Sequence, residues 1–263
     1  MNNTKILRAI GGIDDELIER AVPKSKTVTM KKMIWLRWAI PVAACFTIAL
    51  IVMIPFIINN GVDDTGFDLS RSSGVKVNYI DNPPNIYSSA SLVYLTEEEL
   101  FAPKWMEVEI VAFAGEVTRV DNIVVSMGKS NTHTFYKAIA HIKVNEVFRG
   151  EISTGSTVTV LLPGPVGNPD IHVSDTGISS LMTVGTTGIF MPFAYNEESF
   201  MSTDGDSLCL LDLADYGLGD GVRWVFLQKG DEVVFARLDA YESISEATTM
   251  DEIRQYVISM LEN

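Results

Sequence analysis

The sequence predicts a mainly β domain, built as a small barrel or a β-sandwich, with a C-terminal helix. It adds one transmembrane helix and a short helical N-terminal tail. An uncharged run at 38–58 is long enough to cross a bilayer as a helix. Apolar segments with strand-like alternation begin at Trp105, and a capped helical pattern closes the chain. We therefore expect a tail at 1–37, a membrane helix at 38–58, a linker and approach segment at 59–104, and a β-rich domain at 105–263.

The tail contains a short helix with an apolar stripe. Asp14 can cap it, Asp15 favours the positive helix end, and Ile13 can pack onto Ile18. Such a short helix is marginal alone in water. The tail is either a loosely ordered segment that orients the anchor or a peptide that docks into a protein groove. The residues expected to bind a cytoplasmic partner are Ile13, Asp14, Asp15, Leu17 and Ile18.

Charge is distributed unevenly along the chain. Residues 1–58 carry eight Lys or Arg and four Asp or Glu, a net charge of +4. The whole chain has −14, so the remaining 205 residues carry −14 − 4 = −18. The basic cluster at 24–37 adjoins the apolar run, which predicts a cytoplasmic N-terminus and an extracytoplasmic C-terminal domain in the cell membrane. An acidic domain repels phosphates, so direct nucleic-acid binding is not expected.

Residues 4–58 contain three features in order. These are AIGGIDDELIERA, a basic patch that includes KK, and W-x2-P-x-A-A-C leading into the apolar run. Together they resemble a group of single-span, anti-sigma-like membrane proteins of Gram-positive anaerobes. The resemblance implies a regulatory role in signal transduction, with a cytoplasmic sigma factor or another regulator as the partner of the tail.

Residues 59–104 begin as a polar, turn-rich tether and then gain structure. DNPPN predicts a turn or an extended kink, and Thr96 caps a short helical turn before Pro103.

The β-rich domain contains a series of predicted strands. A mid-strand bulge or bend is expected at Gly115, a turn at Asp121-Asn122 before IVVSM, and a hairpin at Gly230-Asp231. A capping box at Thr249 opens the final helix. The other predicted strands are 108–120, 133–148, 156–162, 185–195, 207–213, 222–228 and 232–238. Segments 108–195, with V-x-E-V-F-R-G-E and V-T-V-x-x-P-G, resemble the OB-like small barrels of secreted bacterial domains.

Residues that could carry chemistry do not form a recognisable set. His133, His141 and His172 lack metal-ligand spacing. Cys45 and Cys209 fall on different sides of the predicted topology, so no disulfide joins them, and Cys209 is expected to be buried in a strand. One acidic cluster is interpreted as solvated loops rather than a calcium site: Asp204, Asp206, Asp212, Asp215 and Asp220. We expect no enzyme, cofactor, catalytic residue or metal site.

Two functions follow from these features. The leading hypothesis is a single-pass membrane protein whose outer domain senses or binds an envelope ligand, while its N-terminal peptide regulates a cytoplasmic sigma factor. The alternative is a membrane-anchored envelope binding module without a signalling role. In both cases the lipid bilayer is a partner and the ligand of the outer domain is unknown.

Overall fold

The computed structural model describes residues 66–84, 87–88, 92–129, 131–167, 172–173 and 177–262. The tail residues 1–37 and the apolar run 38–58 lie outside this part of the chain. None of the helices within it has both the length and the apolarity that a membrane crossing requires.

Fifteen strands and two α-helices are formed by the described residues. The strands are β1 (Lys76–Tyr79), β2 (Tyr87–Ser88), β3 (Lys104–Trp105), β4 (Val108–Glu109), β5 (Ala112–Met127), β6 (His133–Arg149), β7 (Thr157–Leu162), β8 (His172–Val173), β9 (Thr187–Phe190), β10 (Phe193–Ala194), β11 (Phe200–Thr203), β12 (Asp206–Cys209), β13 (Tyr216–Gly217), β14 (Val225–Lys229) and β15 (Glu232–Val234). The helices are α1 (Glu97–Leu100) and α2 (Met250–Leu261), and 3₁₀ turns occur at Ser179–Leu181, Leu210–Asp212 and Glu242–Ile244.

Nine strands form one curled, half-barrel sheet, so the expectation of a mainly β domain with a C-terminal helix is confirmed. The strand order is β10-β13-β7-β6-β5-β9-β14-β15, and β1 pairs with the free part of β5. All these pairs are antiparallel except β13 with β7. A single bridge between Ile110 and Phe193 connects β10 to the residues that precede β5.

The centre of the sheet is the long hairpin of β5 and β6, whose register shifts at three points. The predicted irregularity at Gly115 is confirmed, because the register shifts between Ala114 and Gly115. A Cβ on Gly115 would lie 2.6 Å from the carbonyl oxygen of Lys143, so a side chain there would collide with β6. A further shift falls between Val117 and Arg119 and leaves Thr118 as an extra residue. Thr118 donates its hydroxyl hydrogen to the carbonyl of His141 at 3.1 Å.

The extra residue at Thr118 divides β5 between two hydrophobic cores. Alternate residues of a strand face opposite sides of a sheet, so one additional residue exchanges the faces of all those that follow. Before Thr118, Phe113 and Val117 belong to the main core. After it, the odd-numbered residues Ile123 and Val125 belong to a second core on the opposite face.

The predicted turn at Asp121-Asn122 is wrong, because β5 continues without interruption from Ala112 to Met127. Both polar side chains have partners that suit a strand. The Asn122 side-chain amide donates to the carbonyl of Val166 at 2.9 Å and accepts from its N–H at 2.8 Å. Asp121 contacts His141 on β6 at 2.9 Å.

Two other predicted strands are shorter than expected. The strand at 207–213 ends at Cys209 and continues as a 3₁₀ turn, and the strand at 232–238 ends at Val234. After the second strand the chain turns back, and the Arg237 guanidinium holds this turn because it donates to the carbonyls of Ser245, Ala247 and Val233 at 2.6–3.0 Å. Cys209 is free and fully buried, as predicted.

The predicted hairpin turn at Gly230-Asp231 and both predicted helix caps are confirmed. Lys229 and Glu232 pair across the turn that Gly230 and Asp231 form. Capping boxes are present at Thr96 and Thr249. In α2, Ile253 and Val257 are buried in the main core, and Arg254 forms an ion pair with Glu146 of β6. The C-terminal helix is therefore packed against the sheet.

Part of the segment expected as a linker, 59–104, belongs to the folded domain. Strand β1 pairs with β5 over four residues, and Val77 lies opposite Val125. Phe67 and Val77 are both buried in the second core. Phe67 also stacks on Tyr79, with 4.8 Å between the ring centroids. The chain thus enters the fold before β1 begins.

Candidate binding cleft

The residues that the sequence predicts as partner-binding, from Ile13 to Ile18, lie outside the described part of the chain. The acidic residues of the predicted solvated loops are described, and each has its own partner. Asp204 contacts His133 at 2.9 Å, Asp212 contacts Arg71 at 2.7 Å, and Asp220 contacts Arg223 at 2.7 Å.

The two remaining aspartates of the cluster also bind separately. Asp206 accepts from the N–H of Gly128, and Asp215 accepts from the N–H and hydroxyl of Thr159. The acidic residues therefore join different loops to the sheet instead of converging. Among the described residues no group of three His, Cys, Asp or Glu could hold a metal ion.

One lysine has an unusual environment. Burial lowers the pKa of Lys137 by desolvating its ammonium group, a setting in which lysine can become nucleophilic. Its ammonium group has no hydrogen-bond or ion-pair partner within the described ranges. Lys137 also lines neither of the two concavities described below.

A cleft of about 570 Å³ lies between the segment that leads into α1 and the loop before α2. One wall is formed by residues 94–98 and the other by residues 238–243. About 140 positions of the chain separate these walls. We call this concavity the acidic cleft.

The first wall is fixed at two points. The Nη1 atom of Arg223 donates to the carbonyl of Val93 at 2.5 Å, and its Nε atom donates to the buried carboxylate of Asp220. Glu97 connects the first wall to the second, because it accepts from the N–H of Ser243 at 2.9 Å and from its hydroxyl at 2.5 Å. Glu97 also accepts from the hydroxyl of Tyr256 on α2.

The second wall is held by Arg237, which makes the three carbonyl contacts described above. Its guanidinium also stacks on the ring of Phe235 at 4.3 Å. The N–H groups of Ala240 and Tyr241 both donate to the carbonyl of Ala236 at 3.1 Å. This compact turn presents Leu238 and Asp239 to the cleft.

The cleft carries negative charge that no lining residue neutralises. Its carboxylates belong to Glu97, Glu98, Asp239 and Glu242, and none of the lining residues is basic. Burial alone would raise the pKa of Glu97, but the hydrogen bonds from Ser243 and Tyr256 outweigh it and hold the pKa below its ordinary value. Glu97 is therefore a fixed anion, and the other three carboxylates are exposed around it.

Exposed apolar side chains border the same cleft. Tyr94 and Leu238, one on each wall, are both 83% exposed. Leu92 and Val93 add exposed apolar surface beside Tyr94. Scattered apolar residues are normal on a protein surface, whereas a larger contiguous apolar patch is typical of an interaction site.

Comparisons with protein families, with curated proteins and with solved structures find no match for this chain. The cleft was not predicted from the sequence. Thr96 to Leu100 were recognised only as a capped helical turn, and the loop at 238–243 was assigned in part to a strand. The available signal was the exposed run Leu92 to Tyr94 next to three consecutive glutamates.

Proposed function

We propose that the described residues form the extracytoplasmic binding domain of a single-pass membrane protein, and that the acidic cleft binds a cationic partner with an apolar side chain. The observation that carries this proposal is the combination of four carboxylates, no basic lining residue, and the exposed Tyr94 and Leu238 on opposite walls.

The chemistry of the cleft favours a peptide-like cation over a bare ion. Four carboxylates on two separate walls attract positive charge, and the aromatic face of Tyr94 adds a cation–π contact. Exposed ion pairs contribute at most about 1 kcal/mol each, so charge alone gives little affinity. Covering Tyr94 or Leu238 contributes roughly 1.5–3 kcal/mol more for each side chain. After the costs of association, a dissociation constant on the order of 0.1 mM is expected.

The shape of the sheet supports the OB-like small barrel over the β-sandwich. In a barrel the edge strands return toward each other, which removes exposed edges. The bridge between Ile110 and Phe193 links the β10 side of the sheet back to the start of β5.

The membrane anchor and the regulatory role rest on the sequence. The run at 38–58 anchors the domain, and the peptide from Ile13 to Ile18 regulates a cytoplasmic sigma factor or another regulator. The alternative is that the anchored domain binds its envelope ligand without signalling. Both versions require the same binding domain, so the cleft can be tested separately from the tail.

The test is a titration of the full-length chain, in uncharged detergent, with a lysine–phenylalanine–lysine peptide amide. Binding is followed by calorimetry at about 20 mM and about 500 mM salt. The Debye length is roughly 20 Å at the lower salt concentration and roughly 4 Å at the higher one, so affinity should fall at high salt. Neutralising the three exposed cleft carboxylates, as Glu98→Gln, Asp239→Asn and Glu242→Gln, should weaken binding at least about tenfold, a loss of 1.4 kcal/mol.

The matched control carries the same change in net charge elsewhere. Glu116→Gln, Glu151→Gln and Glu198→Gln alter three exposed carboxylates that do not line the cleft. This variant should bind within about twofold of the unchanged chain if the cleft is the site. An equal loss in both variants would show that general acidity, and not the cleft, attracts the peptide, and the proposal would fail.

A further inference from the structure

A second concavity, which we call the hydroxyl pocket, has no lining residue in common with the acidic cleft. It encloses about 270 Å³ between the turn-rich segment 177–186 and the hairpin of β14 and β15. A water molecule occupies about 30 Å³ of liquid volume, so this space suits a ligand of roughly ten non-hydrogen atoms. The lining residues are Gly167, Ser180, Leu181, Thr183, Thr186, Leu227, Lys229 and Val234.

The floor of the hydroxyl pocket is apolar. Leu227 and Val234 lie directly opposite each other on β14 and β15, which places their side chains together on one face of the hairpin. Leu227 is almost completely buried. Leu181, from the 3₁₀ turn, lines the pocket from the other side. The body of a ligand would therefore contact hydrocarbon.

Three hydroxyl groups face this floor from a turn that is fixed to the sheet. The Thr183 and Thr186 hydroxyl oxygens are 3.3 Å apart, and the Thr186 hydroxyl donates to the carbonyl of Leu181 at 3.3 Å. Val117 on β5 secures the turn, since it accepts from the N–H of Gly185 at 2.8 Å and donates to the carbonyl of Thr186 at 2.9 Å. The backbone of the turn is therefore fixed, and the hydroxyl hydrogens of Ser180 and Thr186 are engaged by the carbonyls of Gly177 and Leu181.

The charge of the hydroxyl pocket is opposite to that of the domain around it. Lys229 is the charged residue among those that line it. Glu232 lies opposite Lys229 in the hairpin register, yet no ion pair within 4 Å joins them in the described part of the chain. The ammonium group is thus available to a ligand.

We propose that the hydroxyl pocket binds a small organic monocarboxylate whose apolar body has roughly ten non-hydrogen atoms. The Lys229 ammonium pairs with the carboxylate and the apolar floor covers the body, while the Ser180 and Thr183 hydroxyls can donate to the carboxylate only after they turn away from Gly177 and Thr186. A doubly charged, strongly hydrated phosphate would meet one lysine and an apolar floor, which leaves much of its lost hydration uncompensated. A singly charged carboxylate fits this balance of polar and apolar groups.

The test uses the full-length chain in lipid nanodiscs with labelled leucine and valine methyl groups. Phenylacetate is the anionic probe, phenylacetamide is the uncharged probe of the same shape, and empty nanodiscs correct for partition into lipid. Phenylacetate should shift the methyl signals of Leu181, Leu227 and Val234 and leave that of Leu238 unchanged. Equal binding of phenylacetamide would overturn the assignment of an anion, and the lack of a shift at these three methyl groups would overturn the pocket.

Two lysine variants make the test specific. Lys229→Gln should raise the dissociation constant of phenylacetate about fivefold, as expected for loss of one exposed ion pair. Lys104→Gln removes an exposed charge that lines neither concavity and should leave the constant unchanged. If both variants weaken binding equally, the lysine is not part of the site and the proposal fails. Neither outcome depends on whether the acidic cleft binds a peptide.

Discussion

Tyr241 connects the aromatic core of the domain to the acidic cleft. Its side chain is fully buried, and its ring lies 4.7 Å from Phe226 and 6.1 Å from Phe101 between centroids. Its hydroxyl donates to the carbonyl of Arg223, the residue that also holds Val93 at the first wall. Burial raises the pKa of the Tyr241 hydroxyl well above its ordinary value, so the group remains a donor.

We therefore expect Tyr241→Phe to lower the free energy of unfolding by about 1–3 kcal/mol, because the buried carbonyl of Arg223 loses its partner. Tyr241→Ala should cost about 3–5 kcal/mol, since it also leaves a cavity. Urea denaturation measures both. Tyr94→Phe, at an exposed position, is the control and should change stability by less than about 0.5 kcal/mol. A Tyr241→Phe variant as stable as the unchanged chain would contradict this role of the hydroxyl.

Arg149 is a second residue whose side chain joins separate segments of the chain. Its guanidinium donates to the carbonyls of Ile110, Phe101 and Ala102 at 2.7–3.1 Å. Burial lowers its pKa, but an arginine remains charged in proteins. Three carbonyl dipoles thus take the place of an acidic partner. The planar guanidinium, with five donors in a fixed geometry, is well suited to serve three acceptors at once.

At the scale of the element, helix α2 is held by three carboxylates with lowered pKa values. Hydrogen bonds from the N–H groups of Thr248 and Thr249 lower the pKa of Glu252. The hydrogen bonds from Arg254 lower that of Glu146. Glu97, whose lowered pKa is described above, binds Tyr256 of the same helix. Each carboxylate therefore contributes more to the folded state when it is charged.

This arrangement predicts that acid releases α2. A carboxyl group whose pKa is lowered in the folded state stabilises the fold at pH values above its ordinary pKa of about 4.3. This contribution is lost as the pH falls through the lower pKa of the folded state. Amide hydrogen exchange should show weaker protection in α2 at pH 3 than at pH 6, relative to β5. A variant with Glu97→Gln, Glu146→Gln and Glu252→Gln should show weak protection in α2 at both pH values. Equal protection of α2 at pH 3 and pH 6 in the unchanged chain would contradict the prediction.

At the scale of the whole molecule, the proposed regulatory role depends on the N-terminal tail and its partner. The segment before the apolar run carries the apolar residues Leu17 and Ile18. In the proposed topology their acidic neighbours would be repelled by the anionic inner surface of the membrane, so we expect a protein groove to be the better acceptor. Burial of each side chain would contribute roughly 1.5–3 kcal/mol.

We expect Leu17→Asp with Ile18→Asp to abolish capture of a cytoplasmic partner and to leave membrane insertion intact. Pull-downs with residues 1–32 and membrane fractionation of the full chain measure the two effects. If the unchanged peptide recovers no protein that the double variant loses, the regulatory hypothesis fails. The anchored binding module would then be the better account.

Sequence reasoning succeeded where the determinants are local. The capping boxes at Thr96 and Thr249 and the two-residue turn at Gly230 require only neighbours within four positions. It failed at Asp121-Asn122, because the partners that keep these polar residues in a strand, His141 and Val166, are 20 and 44 positions away. The acidic cleft was missed for the same reason, since Glu97 and Ser243 are 146 positions apart.

Thr118 has a consequence for how the length of this chain can vary. Removing one residue between Val117 and Ile123 would turn Ile123, Val125 and Met127 away from the second core, where all three are fully buried. An insertion of one residue would do the same, whereas an insertion or deletion of two residues would keep these three side chains in the second core. Across related sequences, gaps in this stretch should therefore occur in even numbers, or an odd gap should be accompanied by a second one-residue change within β5 itself. Selection would therefore preserve whether the number of residues in this stretch is odd or even, and not the number itself.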